Sequence, residues 1–390
     1  MTHLAMCCGR RRARSADDEM SLSRTLLIIA LLAAVLPAGA VGLHAARSLR
    51  DFEKAFVSGS AVIVLGAIYT RFVHDLDLFG AIHLVYLLTF VTLPLLLGTW
   101  FAMSLFGKRR RLQTLMGAVA AMLAVVGVYA THIEPNWLRV DRIQRQANVT
   151  TALRVAVIAD LQSPNVGDHE QNAITAVIES APDLVVIPGD WFQGPTAQIE
   201  AEREAFVDLL RQLVDNSELV VVTSGDSDHS IPLAPMVEEA GALFIDDTIQ
   251  TVTIRAMPVR IAGLRVAAAG PERNDTLAAL QEPTSDFSLL VAHRPDVVYE
   301  LPIGADVDLI IAGHTHGGQV AIPGFGPPIT FSDVPRSAAA GGLSTVETYP
   351  LYISTGVGLE RLQAPQVRFG VRPSVAIIDL VPPGSTPPAQ

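Results

Sequence analysis

Residues 308–320 read DLIIAGHTHGGQV. An apolar run, Leu309-Ile310-Ile311, stops at Gly313. Two histidines, His314 and His316, then flank a single threonine ahead of two more glycines. A short apolar run bounded by glycine predicts a buried β-strand. Its carboxyl end is where open α/β sheets gather their ligands. The glycines leave no bulk beside the rings, so His314 and His316 are candidate metal ligands.

The same arrangement recurs upstream. LRVAVIAD ends on Asp160, DLVVIPGD on Asp190, ELVVVTSGD on Asp226 and FSLLVAH on His293. Between these runs, HEQNAITAVIES (169–180) and IEAEREAFVDLLRQLVD (199–215) have helical spacing. Residues 250–270 read as hairpin strands. Strands alternating with helices predict a layered α/β architecture with mixed sheets. Taken singly, each aspartate has a plain reading as a cap or turn residue, and His293 one as a buried core histidine. Together they make five strands that finish on carboxylates and imidazoles. Oxygen and nitrogen donors without sulfur suit Mn²⁺, Fe, Zn²⁺ or Mg²⁺. A shared carboxylate can bridge two such ions about 3.5–4 Å apart, a spacing that clamps a phosphoryl group.

Composition sets the frame around this set. The chain has 390 residues and a net charge of −11. Residues 1–140 hold 14 Lys and Arg against 8 Asp and Glu, whereas residues 141–390 hold 14 against 31. The acidic C-terminal part argues against nucleic acid, which needs a basic footprint. It contains no lysine, so it lacks the lysine of a phosphate-binding P-loop. The two cysteines, Cys7 and Cys8, leave it without a disulfide, a thiolate metal site or a cysteine nucleophile.

The first part reads as membrane. Four apolar stretches run from about Leu26 to Leu43, Ala55 to Val73, Ala81 to Phe106 and Leu112 to Ala130, each near the ~20 residues that a spanning helix needs. The expected organisation is an N-terminal tail (1–24, with Met20 an alternative start), four transmembrane helices (25–131), a linker (132–152), a catalytic domain (153–381) and a disordered Pro-rich tail (382–390). Trp137 in the linker suits the interfacial aromatic belt. The basic loop GKRRR (107–111) should be cytoplasmic, which puts the acidic domain outside the cytoplasm. The expected location is a multi-pass protein of the inner or plasma membrane.

The ordered motifs ADLQS, PGDWFQG, SGDSDH, VAHRPD and AGHTHGGQ, over roughly residues 153–380, resemble the calcineurin-like metallophosphoesterases, in particular their membrane-attached bacterial branch. The family's blocks are D-x-H, G-D, G-N-H-D/E, a lone H and G-H-x-H. Residues 356–380 are similar to the family's closing strands, and the resemblance implies a layered β-sandwich flanked by helices (αββα) behind the transmembrane helices. It implies two divalent metal ions, one held by Asp160, Gln162, Asp190 and His316, the other by Asp190, Asp226, His293 and His314, with Asp190 as the bridge. It further implies hydrolysis of a phosphate ester or diphosphate by attack of a metal-bound hydroxide.

Two positions depart from the pattern. Gln162 stands where the family has histidine, and Asp226-Ser227 stand where it has Asn-His. Gln162 offers a carbonyl oxygen in place of imidazole. Asp226 adds a negative charge, which would favour harder ions. Ser227 cannot act as the family's general acid. His229, two residues on, is the candidate substitute, and Asp190, His229 and Asp228 are the candidate catalytic residues, with Asp228 to orient a neighbour. Gln193 takes a place where the family often has Asp or Asn. Losing a general acid typically costs ~10²–10⁴ in rate, least for good leaving groups. The membrane part makes the bilayer a partner and a lipid-linked phosphate ester the expected substrate class, with phospholipid, lipid-sugar diphosphate and soluble ester all open. A catalytically degenerate metal-binding sensor or scaffold is the alternative.

Overall fold

The computed structural model describes residues 77–104, 110–266, 270–284 and 286–384. The first two apolar stretches and the end of the Pro-rich tail lie outside the described residues. The chain divides into two units, one of residues up to Ala124 with Leu362–Pro365, the other of Val125–Arg361 with Gln366–Gln390.

In the first unit, helix α1 (Leu78–Leu87) runs through a π turn (Leu88–Thr92) into α2 (Leu93–Ser104). The Asp77 carboxylate caps it by accepting from the Gly80 N–H at 2.7 Å. The π turn ends two residues before Pro94, whose ring cannot fit under the carbonyl four residues back, so the helix widens there. Helix α3 (Arg110–Val128) follows. Among the described residues, two segments are long and apolar enough to cross a membrane, Leu78–Thr99 and Thr114–Asn136. They cover the third and fourth stretches expected from the sequence.

The second unit is built on strands β1 (Arg139–Gln146), β2 (Leu153–Val157), β3 (Leu184–Ile187), β4 (Leu219–Val222), β5 (Leu243–Phe244), β6 (Thr248–Ile254), β7 (Met257–Leu264), β8 (Phe287–Ala292), β9 (Leu309–Ala312), β10 (Gly342–Val346), β11 (Tyr349–Ile353) and β12 (Ser374–Val381). They form two mixed sheets, ordered β1-β12-β2-β3-β4-β5 and β10-β11-β9-β8-β7-β6. Side-chain alternation sorts the strands into layers. Val155, Val157, Leu184 and Val186 meet Val259, Ile261, Leu289 and Val291 between the sheets. Ala156, Val185 and Val220 face the other way, against Ile174 of helix α4 (Asp168–Ile178) and Phe206 of helix α5 (Thr196–Val214). Ala262, Leu290 and Ile310 line the outer face of the second sheet. Burial on both faces is why these strands read as unbroken apolar runs.

Two sequence expectations change. The polar stretch 132–152, expected as a linker, contains β1, which pairs in parallel with β12. As an edge strand β1 has one neighbour and an exposed side, so it carries RVDRIQRQ rather than an apolar run. Of residues 356–380, expected as closing strands, only those in β12 are extended. The segment ahead of β12 is a loop that brings Glu360, Arg361 and Arg368 back toward the carboxyl ends of β2, β3 and β9.

Candidate metal centre

The expected ligands come from both sheets. Asp160 and Gln162 follow β2, Asp190 follows β3 and Asp226 follows β4, while His293 follows β8 and His314 and His316 follow β9. Five of these seven hold positive backbone φ: Asp160 at 47°, Gln162 at 39°, Asp190 at 56°, His314 at 71° and His316 at 49°. Non-glycine residues visit that region rarely. Such strain persists only where the surroundings over-determine it, and it clusters at functional sites. Close approach explains the glycines between them. A Cβ on Gly313 would lie 2.7 Å from Asp160 Oδ2, and one on Gly225 would collide with Asp190 Oδ1.

Two groups of donors approach one another closely: Asp160, Asp190 and His293, and Asp226, His293 and His314. His293 is the member they share, where the family resemblance makes Asp190 the bridge. Asp190 is nonetheless central. Its Oδ2 accepts from Gln162 Nε2 at 2.7 Å and lies 3.4 Å from His293 Nε2, while Oδ1 accepts from the Ser227 N–H at 2.8 Å. His293 donates from Nδ1 to the Pro188 carbonyl at 2.9 Å, which turns Nε2 toward the carboxylates. His314 is oriented in the same manner, with Nε2 on the Phe331 carbonyl at 3.1 Å and Nδ1 2.9 Å from Asp226 Oδ2. Backbone-anchored imidazoles of this kind are the usual preparation for metal binding.

Among the described residues, four buried atoms of this set have no hydrogen-bond partner: Asp160 Oδ2, Gln162 Oε1, His293 Nε2 and His316 Nε2. Buried polar atoms are normally paired, and these four are the atoms that a divalent cation would engage, His293 Nε2 after giving up its proton. The residues present therefore fit the two ions that the motifs imply. His316 stands outside both close groups. Its Nδ1 lies 3.4 Å from the buried Arg368 guanidinium, which also donates to the Gly356 and Gly358 carbonyls.

The electrostatics are those of a cation site. Burial pushes the Asp160 carboxyl up to about 7, against the pull of His293. Burial also works against a charged His293 ring, but Asp190, Asp226 and Asp160 outweigh it and hold the ring up at about 10. In the metal-free domain a proton on His293 thus balances part of the acidic cluster. Burial, followed by the Arg368 charge, keeps His316 neutral, far below the usual histidine range.

Asp226 was expected to add a net negative charge, but Arg294 pairs with it through Nε at 2.9 Å and Nη2 at 2.6 Å, so the added charge is offset. Although burial opposes it, the neighbouring His293 and His314 rings and the Arg294 guanidinium hold the Asp226 carboxyl far below the carboxylate range. Ser227 donates its hydroxyl to the Phe192 carbonyl at 2.9 Å. His229 is exposed, with Nδ1 3.1 Å from the Asp226 carbonyl, and joins neither donor group. Asp228, expected among the catalytic residues, accepts from the N–H groups of Asp190, Trp191, Phe192 and Gly225 at 2.8–3.3 Å. It is a positioning residue that clamps the Asp190 and Asp226 loops together.

Three residues at the site escaped the sequence reading. Arg294 adjoins His293 in the chain, which was its only signal. Arg368 lies in VRFG and shows nothing of its role there. Glu360 places Oε2 3.4 Å from Gln162 Nε2 and accepts from Gln193 Nε2 at 2.8 Å. Its own N–H donates to Gln319 Oε1 at 3.1 Å. No spacing rule links position 360 to position 162.

A family model for the calcineurin-like phosphoesterases matches residues 153–318. The domain belongs to that family. The chain is 26% identical over 294 residues to the uncharacterized metallophosphoesterase YkuE of Bacillus subtilis, covering 71% of this chain and 99% of YkuE. It is 24% identical over 284 residues to the phosphodiesterase YaeI of Escherichia coli, covering 70% of this chain and 99% of YaeI. Among solved structures, a dimetal phosphatase from Danio rerio aligns over 55% of this chain and 89% of its own at 13% identity, with a TM-score of 0.34. By family, the chain is a hydrolase of phosphoester bonds.

Proposed function

We propose that the chain is a membrane-attached, two-metal phosphoesterase acting on a lipid-linked phosphate ester or diphosphate with a good leaving group. The observation that carries the metal reading is the set of unpartnered buried atoms Asp160 Oδ2, Gln162 Oε1, His293 Nε2 and His316 Nε2. Asp160, Gln162, Asp190 and His316 would hold one ion, and Asp190, Asp226, His293 and His314 the other. When bound, the ions supply Lewis-acid activation of a phosphoryl group and of water. The chain's own residues hold that arrangement in place. Pro188 and Phe331 fix the two imidazoles through their carbonyls, and Asp228 fixes the loops of Asp190 and Asp226.

The preference for a good leaving group rests on Ser227. Its hydroxyl is engaged by the Phe192 carbonyl of the Asp190 loop, and His229 is exposed. With no proton donor held at that position, aryl esters and diphosphates, whose leaving oxygens need least protonation, are the substrates of choice. The membrane part of the reading is supported by the two apolar segments. In the second, Leu115, Met122, Val125 and Val128 are exposed, as suits lipid contact. The basic loop GKRRR supports a domain outside the cytoplasm.

The test uses the detergent-solubilised full chain. Metal content and hydrolysis of bis(p-nitrophenyl) phosphate are measured across Mn²⁺, Mg²⁺ and Zn²⁺ in the same samples. Two ions per chain with turnover are expected. No turnover with any ion would leave a metal-binding scaffold in place of an enzyme.

A further inference from the structure

Residues 319–331 read QVAIPGFGPPITF and carry no charge, in a domain otherwise rich in acidic residues. Within this loop Ile322 is 47%, Phe325 53%, Ile329 39% and Phe331 46% exposed. Single exposed apolar residues need no explanation, but four on one loop form a patch. We propose that this loop dips into the bilayer surface, so that the site faces a substrate still held in the membrane. The proposal rests on the reading that Thr114–Asn136 crosses a membrane.

The loop is suited to a lipid interface in its backbone as well as its side chains. Pro323, Pro327 and Pro328 remove three N–H groups from it. Ile322 donates to the Gly326 carbonyl, and Phe325 and Gly326 donate to the Ile322 carbonyl. Few backbone donors are therefore left to be stranded away from water. The Arg336 guanidinium lies 4.2 Å over the Phe325 ring, a cation beside the apolar tip where headgroup phosphates would sit.

Its base is tied to the end of the apolar helix. Ala321 donates to the Phe369 carbonyl at 2.7 Å, and Phe369 donates to the Gln319 carbonyl at 2.9 Å. The Phe369 ring meets Tyr129 edge-on at 6.2 Å, Arg368 donates to the Ala130 carbonyl at 2.8 Å, and Gly370 donates to Glu134 Oε2 at 2.9 Å. Tyr129, Ala130 and Glu134 belong to the apolar segment Thr114–Asn136. Where that segment leaves the bilayer, the base of the loop leaves with it. The other end of the loop reaches the site, because the Phe331 carbonyl orients His314. One uncharged loop thus links the membrane surface to a candidate ligand.

The test uses the full chain with Cys7→Ser and Cys8→Ser, reconstituted into phosphatidylcholine–phosphatidylglycerol vesicles. A spin label is placed at Phe325→Cys, with Leu115→Cys as the bilayer reference and Ile303→Cys, on another exposed loop, as the water reference. Accessibility is read with oxygen and with a water-soluble nickel chelate. Position 325 should follow position 115, with oxygen favoured over nickel. If 325 follows 303 while 115 reads as lipid, the proposal falls and the membrane reading stands. If 115 also reads as water, both fall. Shielding of 325 from both reagents would mean that a second protein copy covers the loop, and would overturn the proposal.

Discussion

Around Asp226 the donor set carries one acidic group more than the family's asparagine supplies, and Arg294 answers it with a two-pronged ion pair. Around Gln162 it carries one imidazole fewer, and the answer is a polar network. Glu360 and Asp190 face the Gln162 amide nitrogen, Gln193 and Gln319 brace Glu360, and Gln162 Oε1 is left free. The first compensation is partly exposed, with the Arg294 side chain 48% accessible, so solvent screens it. The second is largely dry. A change of charge at the rim can be balanced by one flexible cation, whereas a change of ligand type inside the cluster needs several fixed neighbours.

The largest effects should come from residues that the two halves have in common or cannot replace. Asp190→Ala and His316→Ala should each lower kcat by more than the ~10–100-fold typical of losing an outer-shell partner. Far-UV circular dichroism should be unchanged. Full activity in either variant would break the two-metal reading, and with it the comparison. Asp228→Ala removes the acceptor of four backbone N–H groups. Leaving buried donors unpaired around a lost carboxylate should destabilise the domain by about 3 kcal/mol. A thermal melt checks this, and an unchanged melting temperature would show that the two loops hold their places without the clamp.

A middle class of effects separates the halves. Glu360→Gln replaces one of two carboxylate acceptors by an amide donor, which favours turning the Gln162 amide over. One of two metal affinities should fall ~10–100-fold, read by titration calorimetry on the full chain. Arg294→Gln should change affinity less, and its effect should be enlarged by lowering the salt concentration. Equal effects from the two variants would erase the distinction between a dry and a screened compensation.

Much of this was legible in the sequence, and the limits have physical causes. The strands that carry ligands are buried on both faces, so β2, β3, β4, β8 and β9 announced themselves as apolar runs ending on Asp or His. The glycines of AGHTHGG signalled close packing, and Gly313 does abut Asp160. Edge strand β1 was missed because one neighbour and an exposed side leave it polar. The roles of Glu360, Arg368 and Gln319 were missed because they depend on a loop folding back across the sheet ends. Asp228 was read as catalytic because its position in the motif is the same whether its carboxylate faces substrate or backbone. Only the hydrogen bonds decide.

The smallest effect tests how the shared member of the two groups behaves without metal. His293 is held up at about 10 against an ordinary 6.5, and Asp160 at about 7 against 3.8. Both folded-state values are raised, so both contributions are present at low pH and lost as pH rises. Asp160's disappears between 3.8 and about 7, and His293's between 6.5 and about 10. Above pH 7 the acidic cluster is left facing an imidazole that gives up its proton. The chelated protein should therefore lose roughly 2–4 °C of melting temperature between pH 7 and pH 10, a shift of the size that about 1 kcal/mol produces in a domain this large. Reloading with a divalent ion supplies the missing positive charge by another route and should flatten the profile. A chelated profile as flat as the loaded one would mean that the cluster is not held together by the His293 proton. The halves would then be independent rather than joined through that ring.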